Sequence, residues 1–248
     1  MSALLEARGL IKRFGGLLAS AELSLAIEEG EVHALIGPNG AGKTTAIGQF
    51  AGEIRPDAGS IRFAGQEIAR LPVQRRVRLG LTRSFQVTSI FPHFTMIENV
   101  MTVLLVRSGR VFRFFAAARR ERGLREEAVA MLARVGLERR ADVMAEDLAH
   151  GEQRLLELAM ALATGARLLL LDEPMAGLGP VESQAMTRTL LGLKGTLTML
   201  LVEHDMEAVF ALADRVSVLV SGHVVASGEP AAIRADPLVR EAYLGEEA

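Results

Sequence analysis

The sequence has no cysteine among its 248 residues, which excludes disulfides and thiolate metal sites and fits a reducing compartment. It also lacks any apolar run near the roughly 18 residues that a membrane-crossing helix needs. The four consecutive leucines Leu168–Leu171 have the length of a buried strand instead. Met1 to Gly9 carries Glu6 and no long apolar stretch, which argues against a secretory signal. An excess of either charge is missing as well: 28 Lys and Arg stand against 30 Asp and Glu, a formal net charge of -2. A near-neutral chain lacks the overall basic footprint of a dedicated nucleic-acid binder. No internal repeat or low-complexity linker interrupts it. These absences point to a soluble, cytoplasmic chain whose membrane association, if any, comes from partners or a surface patch. Half of the residues are hydrophobic, enough for a sizeable core in one large α/β domain.

What is present has a definite order. Leu4 to Leu10, Leu18 to Ile27 and Val32 to Ile36 read as strands, broken at Gly15-Gly16 and at Glu28-Glu29-Gly30. A helix is predicted from about Lys43, a short strand pair near Ser60 to Phe63, and a strand over Leu81 to Phe85 that ends at Gln86. From Met96 to about Ala163 apolar residues recur at spacings of three and four, which predicts helices. Strands and helices then alternate: strand 168–171, helix 181–193, strand 197–202, helix 206–213, strand 215–220. That alternation implies a mostly parallel sheet with helices on both faces, into which the helical block is inserted.

Gly37-Pro38-Asn39-Gly40-Ala41-Gly42-Lys43-Thr44-Thr45 matches the phosphate-loop pattern G-x-x-x-x-G-K-[ST], after a strand and at the start of a helix. Glycines let the backbone wrap a phosphate, successive N–H groups point inward, and the helix N-terminus favours an anion. Lys43 places a positive charge on the β- and γ-phosphates, and the Thr44 hydroxyl is placed to ligate Mg²⁺. The loop indicates ATP or GTP binding and leaves kinase, GTPase, helicase and transporter ATPase open. The strand over 168–171 runs into Asp172 and Glu173. Ligand groups gather at such carboxyl ends, so Asp172 is expected to face the metal through water, and Glu173 to polarise a water in line with the γ-phosphate. Alone, such a pair could be two solvated acids at a strand end; the loop upstream gives it meaning.

Beyond these motifs the chain resembles the ABC ATPase family over essentially its whole length. Gln86 stands where that family has its Q-loop glutamine, a contact to Mg²⁺ and the attacking water. Leu148-Ala149-His150-Gly151-Glu152-Gln153-Arg154 resembles the signature Leu-Ser-Gly-Gly-Gln, His204 stands at the switch histidine, and Phe14 where an aromatic stacks on adenine. Each residue singly has a bland reading as surface, core or turn; their joint order carries the resemblance. It implies an α/β P-loop NTPase fold with a RecA-like core (1–86 and 164–248), an N-terminal antiparallel β subdomain and an inserted helical subdomain (87–163) that carries the signature. It also implies that Ala149, His150, Gly151 and Glu152 meet the γ-phosphate of an ATP held by a second ABC ATPase subunit, identical or paralogous. The remaining implied partners are transmembrane permease subunits and, indirectly, a periplasmic solute-binding protein, with no nucleic acid. The implied cofactors are ATP and Mg²⁺, and the implied location is peripheral, at the cytoplasmic face of the inner membrane.

The chain departs from the family pattern where Ala149 replaces the usual Ser, His150 replaces the first signature Gly, and Gly179 takes the D-loop position of Asp or Asn. These changes bear on hydrolysis and on coupling between two sites more than on nucleotide binding. Segments such as Thr82-Arg83-Ser84-Phe85-Gln86, Ile97-Glu98-Asn99-Val100 and Arg240-Glu241-Ala242-Tyr243-Leu244-Gly245 resemble ATPases of branched-chain amino acid and urea-type importers. An exporter or lipid-extraction ATPase, a soluble ABC protein and a regulatory subunit with little turnover are the competing expectations. Arg107 to Arg125 holds seven Arg with Phe112, Phe114 and Phe115. It reads as a solvated helical hairpin, with docking to a membrane subunit or anionic lipid as the alternative.

Overall fold

A computed structural model describes residues 3–84, 90–109 and 122–239. Gln86, most of the Arg/Phe-rich stretch and the segment Arg240 to Gly245 lie outside the described residues. Two sheets form the frame. In the first, β1 (Leu5–Phe14) turns at Gly15-Gly16 into β2 (Leu17–Ile27), and β4 (Ala58–Phe63) with the two-residue β5 (Gln66–Glu67) completes an antiparallel order β2-β1-β4-β5.

The second sheet runs β10-β9-β3-β8-β7-β6. Here β3 is Val32–Ile36, β6 Leu81–Arg83, β7 Leu168–Asp172, β8 Thr198–Val202, β9 Arg215–Val220 and β10 His223–Gly228. The pairs β6–β7, β7–β8, β8–β3 and β3–β9 are parallel, and only the edge strand β10 is antiparallel. Strands β3, β7 and β8 are buried along their whole length, which explains continuous apolar runs in place of alternation. Their side chains still divide by face. Leu169, Leu171, Met199 and Leu201 pack with helical residues such as Leu156, Leu162 and Leu190. Leu168, Leu170, Leu200 and Val202 pack with Phe50, Ile61 and Phe63 on the side of the antiparallel sheet.

The helices are α1 (Lys43–Ala51), α2 (Val73–Leu79), α3 (Met96–Arg107), α4 (Arg122–Ala133), α5 (His150–Ala163), α6 (Pro180–Leu193), α7 (Met206–Leu212) and α8 (Pro230–Ala235). Thr95 caps α3 through a full capping box with Glu98, and Pro180 sits at the first position of α6. Helices α3, α4 and α5 pack on one another through Val100, Leu104, Ala128, Leu132 and Leu156. Among the described residues no helix is long and apolar enough to cross a membrane. Helices α2 and α8 and strand β10 were not expected from the pattern. The strand expected over Leu81 to Phe85 is three residues long within the described segment, although the Ser84 N–H still donates to Leu170 O at 2.8 Å.

The order β3-β8-β7 sets the site. The loops leaving the carboxyl ends of these three neighbouring parallel strands emerge side by side, and they carry Gly37–Gly42, His204 and Glu173. A cleft of about 810 Å³, lined by Glu28, Gly30, Lys194, Asp214 and Arg215, lies at the opposite, amino ends of the strands.

Candidate nucleotide site

The loop from Gly37 to Gly42 is held rigid by close backbone approach. A Cβ on Gly37 would lie 2.0 Å from Leu219 O, and one on Gly42 2.3 Å from Ala19 O. Gly42 also has φ 103°, a conformation that side-chain-bearing residues rarely adopt. The loop is thus wedged between β9 and β2. Ala41 O accepts from Gly222 N at 2.9 Å, and Ala41 N donates to Pro38 O at 3.2 Å. Asn39 and Gly40 are exposed at the tip. Helix α1 begins at Lys43, so the N–H groups of Lys43, Thr44 and Thr45 have no acceptor within the helix and converge with its positive dipole end. Lys43 Nζ curls back to donate to Gly37 O at 2.6 Å and Pro38 O at 3.0 Å. Burial lowers its pKa below the usual lysine range, and the charges of Glu173 and Asp172 oppose that shift.

Asp172 ends β7 with its side chain fully buried. Its Oδ2 accepts from Arg83 Nη2 at 2.7 Å, and Arg83 also pairs with Glu53. Its Oδ1 is buried without a hydrogen-bond partner. Burial pushes the Asp172 pKa up, the Arg83 guanidinium opposes this, and the nearby Glu173 charge adds to it. Asp172 acts electrostatically on Lys43, the residue before the exposed Thr44, and its orphaned oxygen with the Thr44 hydroxyl is a donor set that suits Mg²⁺, which takes few protein ligands and keeps water and phosphate oxygens. Among the described residues no cluster of three or more His, Cys, Asp or Glu would cage a metal by itself.

Glu173 adopts φ 52°, a left-handed conformation uncommon outside glycine. Its N–H donates to Val202 O at 2.8 Å, which ties β7 to β8 at the point where both strands end. The turn aims Glu173 Oε1 at His204 Nε2, 2.7 Å away; a carboxylate only accepts, so the ring nitrogen donates. Strain of this kind concentrates at functional positions. Glu203 fixes the neighbouring turn. It is buried, and its Oε1 and Oε2 accept from Met175 N at 2.7 Å and His204 N at 3.0 Å. Burial raises its pKa against those N–H bonds. Asp205 then caps α7 by accepting from Glu207 N and Ala208 N.

The signature residues form a second cluster. Ala149 is the N-cap of α5 and has no side-chain acceptor, so only the reciprocal half of a capping box exists: Ala149 N donates to Glu152 Oε2 at 3.2 Å. Glu152 also pairs with Arg140. Gly151 N donates to Glu182 Oε1 at 3.3 Å, and Gly179 N, at the start of α6, to Glu182 Oε2 at 3.0 Å. His150 is exposed. Among the described residues no hydrogen bond joins this cluster to the phosphate loop. Phe14 lies on the other sheet, 47% exposed, with Lys12 Nζ 5.4 Å from its ring centroid. The structure thus groups the phosphate loop, Asp172, Glu173 and His204, sets Ala149 to Glu152 apart beside Gly179, and does not describe Gln86.

Sequence reasoning missed Arg83, Glu203 and Glu182. For Glu203 the signal was available: an acid directly after the apolar run Met199–Val202 must find donors. Arg83 and Glu182 find their partners across 89 and 31 residues, and no local pattern marks them.

A phosphate loop opening a helix, beside a buried strand that ends in two carboxylates, defines a P-loop nucleotide-binding protein. Residues 21–176 match the ABC transporter family, and residues 223–248 match the branched-chain amino acid ATP-binding cassette transporter family. The chain belongs to the ABC transporter family, as an ATP-binding subunit with the ATPase fold. It is 41% identical, over 98% of both chains, to the high-affinity branched-chain amino acid transport ATP-binding protein BraF of Pseudomonas aeruginosa. It is 34% identical to the lipopolysaccharide export system ATP-binding protein LptB of Acidithiobacillus ferridurans, over 100% of this chain and 99% of that one. Among solved structures, the ADP conformation of an ATP-binding cassette of an ABC transporter superposes with a TM-score of 0.85 at 27% identity, covering 99% of this chain and 100% of that one.

Proposed function

We propose that this chain hydrolyses ATP to drive an importer of branched-chain amino acids or a related small solute, working as one of two ATPase subunits on membrane permeases at the cytoplasmic face. The observation that carries the chemistry is the 2.7 Å contact between His204 and the strained Glu173, next to a phosphate loop whose lysine is held ready. Phe14 stacks on adenine, and Gly37 to Thr45 wrap the phosphates. When ATP enters, Lys43 exchanges its two loop carbonyls for β- and γ-phosphate oxygens. Mg²⁺, when bound, would neutralise phosphate charge; Thr44, Gln86 and, through water, Asp172 would hold it. Glu173 orients the attacking water and accepts its proton, and His204 turns its Nε2 proton to the γ-phosphate. Residues Ala149 to Glu152 close on the ATP of the partner subunit. Units 1–86 and 164–248 bind nucleotide, while 87–163 carries the signature.

The solute assignment rests on the higher identity to BraF and on the C-terminal match; the likeness to LptB favours an exporter as the second reading. The test is ATP turnover of the assembled transporter with and without solute. Glu173→Gln is expected to lower turnover by about 10²–10⁴-fold while nucleotide binding persists. Turnover left intact in that variant removes Glu173 from the chemistry, and stimulation by an exported lipid in place of an amino acid decides for the second reading.

A further inference from the structure

The starts of α5 and α6 both lack the side chain that normally caps a helix. Ala149 before α5 and Gly179 before α6 are both N-caps without an acceptor. One carboxylate serves both: Glu182 accepts from Gly179 N through Oε2 and reaches across to Gly151 N through Oε1. The fit is close. A Cβ on Gly151 would lie 2.9 Å from Glu182 Cδ, so the absence of a side chain at 151 is what admits the carboxylate. Glu182 is half-buried and accepts from these two backbone N–H groups; among the described residues no cation pairs with it.

We propose that Glu182 is an electrostatic latch on the signature: in the free subunit it occupies the Gly151 N–H, and it must yield that donor before the γ-phosphate of the partner's ATP can bind there. This rests on the role proposed above for residues 149–152 and deepens it. A carboxylate and a phosphate both favour the positive end of a helix, and two anions on one donor repel. The latch holds α5 and the segment before α6 together while the site is empty. It also raises the ATP concentration at which two subunits close. The two departures at Ala149 and Gly179 thereby become one device, because a serine at 149 would cap α5 by itself and release the carboxylate.

The test uses the full-length chain with Glu173→Gln to stop turnover, and reads ATP-dependent dimer formation by sedimentation velocity. Glu182→Ala is expected to lower the half-maximal ATP concentration by about three- to ten-fold. Glu182→Gln keeps an acceptor but loses the charge, and is expected to shift it in the same direction by less. Ala149→Ser is expected to shift it likewise. A threshold that is unchanged or raised in both Glu182 variants overturns the latch and leaves Glu182 a positioning residue. A second readout needs no dimer: in the free subunit, the Gly151 amide is expected to exchange with solvent faster in Glu182→Ala. An amide that ignores the substitution also overturns the proposal. Failure of the Glu173→Gln parent to dimerise with ATP, while the Gly151 amide responds, counts against the role given to residues 149–152 instead.

Discussion

The phosphate-loop half of this chain and the half that carries the signature segment Ala149 to Glu152 are built to different standards. The phosphate-loop half is wedged at its base and charge-balanced: Gly37 and Gly42 approach neighbouring backbone closely, Lys43 faces Asp172 and Glu173, and Arg83 steadies Asp172. The signature half is exposed at Ala149 and His150, has no side-chain cap at either helix start, and relies on a carboxylate from another element. Rigidity suits a loop that must present N–H groups in one fixed geometry. Looseness suits the role proposed above for Ala149 to Glu152, releasing one anion and taking another each cycle.

The sharpest way to break this contrast is to insert a methyl group on each side of it. At Gly42 an alanine meets Ala19 O at 2.3 Å and must hold φ near 103°. Left-handed strain and overpacking together are expected to cost about 4 kcal/mol. Thermal unfolding with and without ATP reads this as a lower melting temperature and lost nucleotide binding. At Gly151 the methyl meets only the mobile end of Glu182, at 2.9 Å, so a loss of stability as large as that at Gly42 would erase the distinction between the halves.

How far each half was legible in the sequence follows the same division. The phosphate loop, the apolar strand with Asp172 and Glu173, and His204 announce themselves because their spacing is local, and the alternation of strands and helices after Leu168 is reproduced to within a residue or two. What stayed hidden depends on distant pairing. Arg76 sits in Val73-Gln74-Arg75-Arg76-Val77-Arg78, where nothing separates it from its two arginine neighbours. Yet Arg76 alone is buried, donating to Gln49 O at 2.7 Å and Phe50 O at 2.6 Å and so capping the far end of α1. Burial lowers its pKa to about 10. Edge strand β10 was missed because one of its faces is exposed and its residues are small.

A smaller effect sharpens the comparison at Gly179. An asparagine there supplies the missing N-cap of α6, worth a few tenths of a kcal/mol over glycine, and also replaces a flexible residue, so that the change is worth about 0.5–1 kcal/mol of stability. The backbone at 179 has φ -71°, so no strain opposes the substitution. Gly179→Asn is expected to raise the melting temperature slightly and to tighten the coupling between the two ATP sites, read as a higher Hill coefficient for ATP turnover. A lower melting temperature would mean that the asparagine disturbs the Gly179 N–H contact to Glu182 instead of capping α6.

The smallest effect is a pH signature at the junction of the two halves, where Glu203 ties the segment leading to Gly179 to the strand end that carries His204. Burial raises its native pKa above the ordinary glutamate value of 4.5. Between those two values the native state keeps a proton that the unfolded chain has released, so stability falls as pH rises through that window. Below 4.5 the burial penalty is absent, and above the raised value it is constant. In Glu203→Gln the titration disappears, while a lost acceptor costs about 1–3 kcal/mol at every pH. Urea unfolding of both proteins from pH 4 upward is therefore expected to show the variant gaining on the wild type as pH rises, then a constant gap. Asp172, whose pKa burial also raises, is common to both proteins and cancels to first order in the difference. A gap that does not change with pH would show that Glu203 releases its proton over the same pH range in the native and unfolded states, and that its backbone donors fully offset the cost of burying the charge.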